Sequence, residues 1–330
     1  MKTKIYTAYF LTILAGFTFG LIPIISALMR DNQIFTSEQA FLRLFFGALF
    51  GLGIIIISIY MKKNHFEALK ASFTKSYQLG YFIQGTLLAI AIYVYLAAIS
   101  LDTPVGEAAL LVQVHPIVTL IIGWIFLKES LTRVKIFAVI IAMMGIGILA
   151  HPWTWTSAFT HAIGDLLCLS NGFFYALYLI VGRYYANQRK NIPSQTSIAW
   201  VLIYTFLSGI ILIVFLFLLP LPENINTVRI NILFSPIGII FGLALALFGS
   251  LIPYGLIMMT SSVIESSKAS ILLLGEAISA VILAFIILNE LITIYYIIGG
   301  FFIFLAIYLI IESENFLKFC ILIFIIFTLF

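Results

Sequence analysis

The sequence predicts an all-α integral membrane protein in which ten transmembrane helices form two inverted five-helix repeats. Three observations support this fold class: a very apolar composition, ten separate apolar stretches, and a short sequence box that occurs twice. Of the 330 residues, 63% are hydrophobic and only 9% are charged, whereas about a quarter of the residues in a typical soluble domain are charged. The chain therefore requires lipid as its solvent.

Apolar stretches long enough to cross a bilayer occur ten times. The hydrocarbon core of a membrane requires roughly 20 apolar residues in a helix. The predicted spans are 5–29, 39–61, 77–101, 105–127, 134–150, 163–184, 197–219, 236–259, 267–288 and 292–311. The first span is too long for the core of a signal peptide, so we predict that it is a retained helix.

Residues 312–330 follow the tenth span as a short C-terminal apolar appendage. Its last part, Phe316–Phe330, is almost wholly apolar but short for a membrane span. Two interpretations stay open here: an interfacial helix and a weak eleventh span.

Basic residues are distributed unevenly between the two predicted sides of the membrane. With the amino terminus in the cytoplasm, fourteen of the 17 Lys and Arg residues lie on the cytoplasmic side. They are Lys2, Lys4, Lys62, Lys63, Lys70, Lys75, Lys128, Arg133, Lys135, Arg183, Arg189, Lys190, Lys268 and Lys318. Only Arg30 and Arg229 lie outside, while Arg43 falls within the second span. The positive-inside rule therefore predicts a multi-pass protein of the bacterial inner-membrane type with both termini cytoplasmic.

An internal repeat relates the two halves of the chain. The box Lys128–Thr132 (KESLT) recurs 161 positions later as Asn289–Thr293 (NELIT). The same offset places His115 opposite Glu276. Since each repeat holds five helices, an odd number, the second repeat enters the membrane from the opposite side to the first. This is the inverted arrangement common in secondary transporters.

The ten spans, the repeat and its boxes together resemble the drug/metabolite transporter superfamily, EamA type, over residues 5–311. The segment Glu38–Phe46 is similar to the family's second helix with its arginine, Arg43, and Pro116 lies in the fourth span as the family pattern expects. The chain departs from that pattern at Ala277, where a proline is expected, and at His115.

The resemblance implies two five-helix repeats at 1–150 and 163–311, and it implies transport of a small metabolite. Family members carry amino acids, nucleotide-linked sugars or cationic drugs. We expect a small-molecule substrate and the lipid bilayer as partners, no nucleic acid, no cofactor and no metal.

His115 and Glu276 are the strongest candidates for a functional site. Each lies near the middle of its span, where an ionisable group is costly and usually faces the interior of the helix bundle. A histidine titrates near neutral pH, and a buried carboxylate can be brought toward that range. We hypothesise that the pair lines the substrate cavity and binds a coupling proton. In the alternative, both are uncharged and lock helices together by hydrogen bonds.

Tyrosine and amide side chains give a second group of candidates for lining the cavity. Tyr93 and Tyr254 are related by the repeat and lie toward opposite faces, so they line the cavity, gate its two ends or only pack. Further candidates, for which helix–helix hydrogen bonding is the alternative, are Asn171, Tyr175 and Tyr178, which share one helical face, and Gln84 and Gln113.

Arg43 and the box acids complete the candidates. Arg43 can hold an anionic group, but the favoured interpretation is that it snorkels to the surface or pairs with an acid such as Glu38. Glu129 and Glu290 lie at helix ends, and we predict a structural role in which they hold the loops.

The leading functional hypothesis is a secondary transporter that exports an amino acid or related solute by alternating access. The alternatives are a facilitative carrier or channel for another metabolite or a cationic drug, and an intramembrane enzyme. No HExxH motif and no GxxxxGK[ST] loop occurs in the sequence, which disfavours a zinc protease of that type and ATP-driven transport.

Overall fold

A computed structural model describes residues 2–60, 63–101, 111–150, 162–189, 191–218, 225, 228–289 and 291–312. Within these ranges all regular structure is helical. The helices are α1 Lys2–Phe19, α2 Leu21–Asp31, α3 Thr36–Tyr60, α4 Lys63–Ser72, α5 Lys75–Ser100, α6 His115–Leu127, α7 Arg133–Ala150, α8 Ala162–Gln188, α9 Ser194–Phe217, α10 Ile230–Leu233, α11 Pro236–Ala246, α12 Ile252–Thr260, α13 Ser266–Leu272, α14 Gly275–Leu288 and α15 Ile294–Ile311. The box residue Glu290 and the appendage from residue 313 onward lie outside the described residues.

Eight segments of the described chain are long and apolar enough to cross a membrane. They are Lys4–Asp31, Thr36–Tyr60, Lys75–Ala98, Ala162–Gln188, Ser194–Phe217, Pro236–Thr260, Ser266–Leu288 and Ile294–Ile311. Each coincides with a predicted span. The predicted spans 105–127 and 134–150 are represented by α6, a shorter apolar helix of 13 residues, and by α7, with 18 residues. The multi-pass membrane class is thus confirmed.

A helix that the sequence analysis treated as a connection lies between the second and third spans. Residues 63–72 form α4 from good helix formers such as Ala, Lys, Glu and Leu. Leu69 is buried, and the Trp200 indole of α9 donates a hydrogen bond to Ser72 Oγ at 2.8 Å. The connection therefore packs against the bundle through Leu69 and through the hydrogen bond to Ser72.

Two helices are interrupted at equivalent positions in the two repeats. In the first repeat a turn at Gln113–Val114 directly precedes α6, and in the second a turn at Leu273–Leu274 directly precedes α14. The helices α6 and α14 also end alike, because the next residue has a left-handed backbone, with φ 54° at Lys128 and φ 55° at Asn289. The sequence repeat is therefore also a repeat of backbone geometry.

The first helix of each repeat packs a glycine against the interruption in the other repeat. A Cβ atom at Gly16 of α1 would lie 2.8 Å from the Leu273 carbonyl oxygen, and one at Gly172 of α8 would lie 2.7 Å from that of Val112. Only glycine permits backbones to approach so closely. Because Val112 and Leu273 are 161 positions apart, the two contacts are equivalent, and each repeat supports the interruption of the other.

The buried core forms two clusters, and each contains helices from both repeats. One cluster unites the end of α1 with α2, α3, α5, α8, α9, α10, α11 and α12. The other unites the start of α1 with α6, α7, α13, α14 and α15. In the second cluster α7 and α15 approach closely, since a Cβ atom at Gly145 would lie 2.8 Å from the Gly299 carbonyl oxygen. Corresponding spans of the two repeats thus pack together, and the clusters cut across the sequence repeats.

Candidate functional site

A cavity of ≈ 70 Å³ lies at the two helix interruptions. Of the predicted site residues, those that line it are Arg43, Gln113, His115, Asn171, Tyr175, Tyr254 and Glu276. A water molecule needs about 10–15 Å³ of such space, and sites for drug-sized ligands have about 300–1,000 Å³. In this conformation the cavity accepts water or part of a small solute, and a larger ligand requires it to open.

The structure brings together the two residues that the repeat pairs. His115 is the first residue of α6 and Glu276 is the second residue of α14, and both side chains line the cavity. The amino end of a helix carries unpaired N–H groups and a partial positive charge. Glu276 lies in the first turn of α14, where the N–H groups of Glu276 and Ala277 donate to the carbonyl oxygens of Leu273 and Leu274 across the interruption.

Several buried polar atoms beside the cavity have no hydrogen-bond partner in the described structure. They are His115 Nδ1, Tyr175 OH and Tyr178 OH. The other ring nitrogen, His115 Nε2, lies 3.1 Å from Gln113 Oε1; with that oxygen accepting, Nδ1 offers a lone pair. An unpaired buried polar atom costs about 1–3 kcal/mol. This arrangement therefore fits a solute or water that supplies the missing hydrogen bonds.

Aromatic rings form one wall of this site. The rings of Tyr175 and Tyr178 on α8 stack with centroids 6.1 Å apart, and the Tyr175 ring meets His115 edge-on at 5.0 Å. Tyr254 on α12 lies 5.2 Å from Tyr178 and 5.0 Å from Phe19. Such rings combine an apolar face with a polar tip. Tyr175 and Tyr254, which line the cavity, can therefore contact the apolar part of a solute with their rings and the polar part with their hydroxyl groups.

The favoured interpretation of Arg43 is wrong. Its side chain is 3% exposed and does not snorkel, and Glu38 pairs instead with Arg229, with Oε1 and Nε 2.8 Å apart. Arg43 Nε donates to Ser250 Oγ at 2.9 Å, and Nη2 donates to the Gly249 carbonyl oxygen. The arginine turns inward because these acceptors lie beside the cavity, whereas Glu38 is already neutralised by a cation of the other repeat.

Comparison with protein families identifies the class of this chain. The model of the EamA-like transporter family matches residues 6–150 and 162–312. The chain belongs to the EamA-like transporter family. This confirms the resemblance drawn from the repeat, and it makes the chain a membrane transporter of the small-molecule class.

A comparison with solved structures agrees with the fold of this EamA-like transporter. A crystal structure of a protein is similar over 94% of this chain and 96% of its own length, with a TM-score of 0.69 and 14% sequence identity. At that identity the similarity shows the fold alone. Comparison with curated proteins finds no match.

Three of the residues predicted for the site of this transporter do not line the cavity. Tyr93 OH lies 2.7 Å from Ser37 Oγ and donates to the Ile225 carbonyl oxygen at 3.2 Å. Tyr178 lies behind Tyr175 and is 1% exposed. Tyr93 and Tyr254 thus do not form a symmetric pair at the cavity, because only Tyr254 points toward the interruptions.

The predicted amides divide between the site and the helix contacts. Gln84 is the third predicted residue that does not line the cavity. Its side chain accepts a hydrogen bond of 3.5 Å from Arg189, which lies on the segment after α8. Asn171 lines the cavity and also donates from Nδ2 to the Ala91 carbonyl oxygen of α5 at 2.7 Å. Gln84 therefore makes a hydrogen bond between segments, as in the alternative interpretation. Asn171 both lines the cavity and makes a helix–helix hydrogen bond.

Tyr95 lines the cavity but is not among the residues predicted from the sequence. The 161-residue offset pairs Tyr95 with Leu256, so the repeat gives no signal for it. The helical spacing does give a signal for Tyr95. Tyr95 lies four residues after Ala91, so both are on the same face of α5, and Ala91 also lines the cavity. The neighbouring residue Tyr93 lies on another face of the same helix.

Polar contacts join the two repeats at one end of the bundle, which we call the Glu129 end. Glu129 Oε1 accepts from the backbone N–H and the hydroxyl of Ser266 at 2.6 and 2.8 Å, and Oε2 accepts from those of Ser267 at 3.1 and 2.7 Å. The predicted structural role of Glu129 is confirmed. Its partner, however, is the start of α13 in the other repeat and not its own loop.

An ion pair completes the Glu129 end. Lys135 Nζ lies 2.7 Å from Glu265 Oε2, and the lysine side chain is fully buried. Burial of Glu265 acts to raise its pKa, but the hydrogen bond and the charge of Lys135 outweigh burial and lower the pKa below its usual value. The pair therefore favours the charged carboxylate at neutral pH.

The opposite end, which we call the Glu38 end, has its own link between the repeats. Arg229 donates from its backbone N–H and from Nε to Glu38 Oε1 at 2.9 and 2.8 Å, and from Nη2 to Oε2 at 2.8 Å. The hydrogen bond with Glu38 raises the pKa of Arg229. Ser37 of the same helix donates to the Ile225 carbonyl oxygen. The cavity is thus bounded by one inter-repeat link at each end.

Proposed function

We propose that this EamA-like transporter exports a small organic metabolite, an amino acid or a related solute, by alternating access through the cavity at the helix interruptions. The observation that carries the proposal is the paired interruption, which presents His115 and Glu276 to one cavity. Secondary transporters bind substrates near the membrane midplane, where discontinuous helices expose helix ends and backbone polar groups.

The proposed architecture has ten spans in two inverted repeats. Glu129, which follows α6, contacts Ser266, where the span Ser266–Leu288 begins. The counterpart of α6 is α14, which ends at the far end of that same span. The equivalent helices α6 and α14 thus run in opposite directions, which supports inversion. The excess of Lys and Arg on one side supports both termini being cytoplasmic, in a membrane of the bacterial inner-membrane type.

The moving parts in this proposal are the two packing clusters. Each cluster contains corresponding spans of both repeats, so the sequence halves are not the rigid units. The contacts of Glu129 and Lys135 lie within one cluster, and the Glu38–Arg229 link lies within the other. These links therefore hold each cluster together while the two clusters move relative to each other and open the cavity to one side or the other.

A proton is the coupling ion in this proposal, bound and released at His115 and Glu276. Both are ionisable and face the same cavity, so a proton and a solute share one compartment. A facilitative carrier is the competing mechanism, in which these residues only bind the solute. The small cavity favours small solutes over bulky cationic drugs.

Counterflow in liposomes tests the proposal. The protein is reconstituted and challenged with labelled amino acids, other metabolites and cationic dyes, with and without a pH gradient. We expect saturable counterflow of one small-solute class and accumulation driven by the gradient. Glu276→Gln should abolish the accumulation but spare counterflow, while Glu67→Gln, at an exposed position of α4, should change neither. Flux without saturation would indicate a channel and contradict the carrier.

A further inference from the structure

The buried charge of Arg43 has no carboxylate partner in direct contact within the part of the chain that the structure describes. The ion pairs found there are Lys135–Glu265 and Arg229–Glu38. Burying a charge is costly unless an opposite charge or hydrogen bonds compensate it. The direct contacts of Arg43, with Ser250, Gly249 and the Tyr254 hydroxyl, are with neutral oxygens. The positive charge is therefore available to a ligand.

The acceptor that holds Arg43 exists because of a proline. In an α-helix the Gly249 carbonyl would accept from the N–H of residue 253, but Pro253 has none. The chain there winds as a π-helical turn over Leu247–Leu251, a feature that often marks functional sites. The freed Gly249 carbonyl accepts from Arg43 Nη2, and the adjacent Ser250 hydroxyl accepts from Nε. The backbone thus fixes the guanidinium in one orientation.

This orientation leaves one edge of the guanidinium free of Ser250 and Gly249. The group has five N–H donors in a planar fork. The edge formed by Nε and Nη2 is occupied by Ser250 and Gly249, which leaves the edge formed by Nη1 and Nη2. Arg43 lines the cavity together with Glu276, Tyr95 and Tyr254, so the donors of this second edge belong to a compartment that contains the Tyr254 hydroxyl, which bonds Arg43, and a carboxylate.

We propose that Arg43 is the specificity-determining residue of the transporter and that it binds the carboxylate of the solute through its Nη1–Nη2 edge. Planar, bidentate pairing is the geometry in which arginine recognises carboxylates best. Ser250 and the Gly249 carbonyl are positioning groups. The inference rests on the proposed transport function and names the group that every good substrate must carry.

The test measures ligand binding by thermal stabilisation of the protein in nanodiscs, which does not depend on flux. Two matched sets serve as probes: alanine, propionate and ethylamine, and leucine, 4-methylpentanoate and isoamylamine. In at least one set, we expect the amino acid and the carboxylate to stabilise the wild type and the amine not to. Arg43→Lys should weaken binding roughly ten- to a hundredfold, because one charge-assisted hydrogen bond of the fork is lost. Arg30→Gln, at an exposed position at the end of α2, is the matched control.

Two positioning variants keep the test decisive if the Arg43 variants do not fold. Pro253→Ala restores an N–H that competes for the Gly249 carbonyl, and Ser250→Ala removes the second acceptor. Each should weaken carboxylate binding while the charge stays in place. If amines bind as well as amino acids, or if Arg43→Lys binds like the wild type, the inference is wrong. If counterflow proceeds only for solutes without a carboxylate, the inference fails but the carrier stands; if no solute shows counterflow, the transport proposal itself fails.

Discussion

Replacing Glu129 by Gln is expected to weaken the link between the two repeats by about 2–4 kcal/mol. The carboxylate accepts four hydrogen bonds, two on each oxygen, from Ser266 and Ser267. Glutamine retains one oxygen and so preserves the Ser266 pair. The glutamine NH₂ group replaces the second oxygen and faces the Ser267 N–H, which is also a donor. That N–H then becomes a buried donor without a partner, which costs about 1–3 kcal/mol. The loss of charge on the retained bonds adds roughly another 1 kcal/mol.

The measurement is reversible unfolding of the purified protein by titration of SDS into mild-detergent micelles. A double-mutant cycle combines Glu129→Gln with Ser267→Ala. Because both changes act on the same contact, their effects should fall short of additivity by 1 kcal/mol or more, as about one shared charge-assisted hydrogen bond requires. Glu67→Gln on the exposed face of α4 is the control and should stay within about 0.5 kcal/mol of the wild type.

Two results would refute this reasoning. If Glu129→Gln unfolds like the wild type, the four hydrogen bonds do not stabilise the folded state. If the two substitutions add without coupling, Glu129 acts elsewhere than at the start of α13.

Two further predictions concern the same interfaces. The pKa of Glu265 is lowered by Lys135, so the pair stabilises the fold above the ordinary carboxylate pKa of 4.5 and loses this contribution as the pH falls through the lower pKa of the folded state. The difference in unfolding free energy between wild type and Glu265→Gln should therefore be constant from pH 7 to about 5.5 and shrink at lower pH; an unchanged difference at pH 3 would contradict the ion pair. Gly16→Val should destabilise the protein by about 1–3 kcal/mol or more, because its Cβ would clash with the Leu273 carbonyl. Gly53→Ala, where nothing lies within 4 Å of the added Cβ, should be nearly neutral. Equal effects of the two substitutions in thermal unfolding would contradict the close approach at Gly16.

The sequence predicted the repeated parts of the site with considerable success. His115 and Glu276 were paired by the 161-residue offset alone, and both line one cavity. The offset is informative because two repeats of the same backbone place equivalent residues at equivalent depths. The shared face of Tyr175 and Tyr178 was also correct, since helical spacing fixes which side chains are neighbours.

Residues whose partners come from distant segments could not be placed in this way. Arg43 was expected to reach the surface or to pair with Glu38. In the structure Glu38 pairs with Arg229, and Arg43 donates a hydrogen bond to Ser250 in the turn before Pro253. Tyr93 was chosen where Tyr95 lines the cavity. Position along a predicted span indicates the depth of a side chain in the membrane. The direction in which the side chain points depends on the rotation of the helix about its axis, which is set by the neighbouring helices.

The sequence by itself determined that this protein requires lipid as its solvent, where eight of its spans begin and end to within a few residues, and that it is built from a repeated unit. These properties follow from local hydropathy and from the requirement that a helix cross the hydrocarbon layer. Only the tertiary structure decided that corresponding spans of both repeats pack in common clusters, that each repeat supports the other's interruption through Gly16 or Gly172, and that Arg43 faces inward. Lipid-facing and buried helix surfaces are both apolar, so composition cannot distinguish them; close packing and the need to pair each buried polar group select the arrangement.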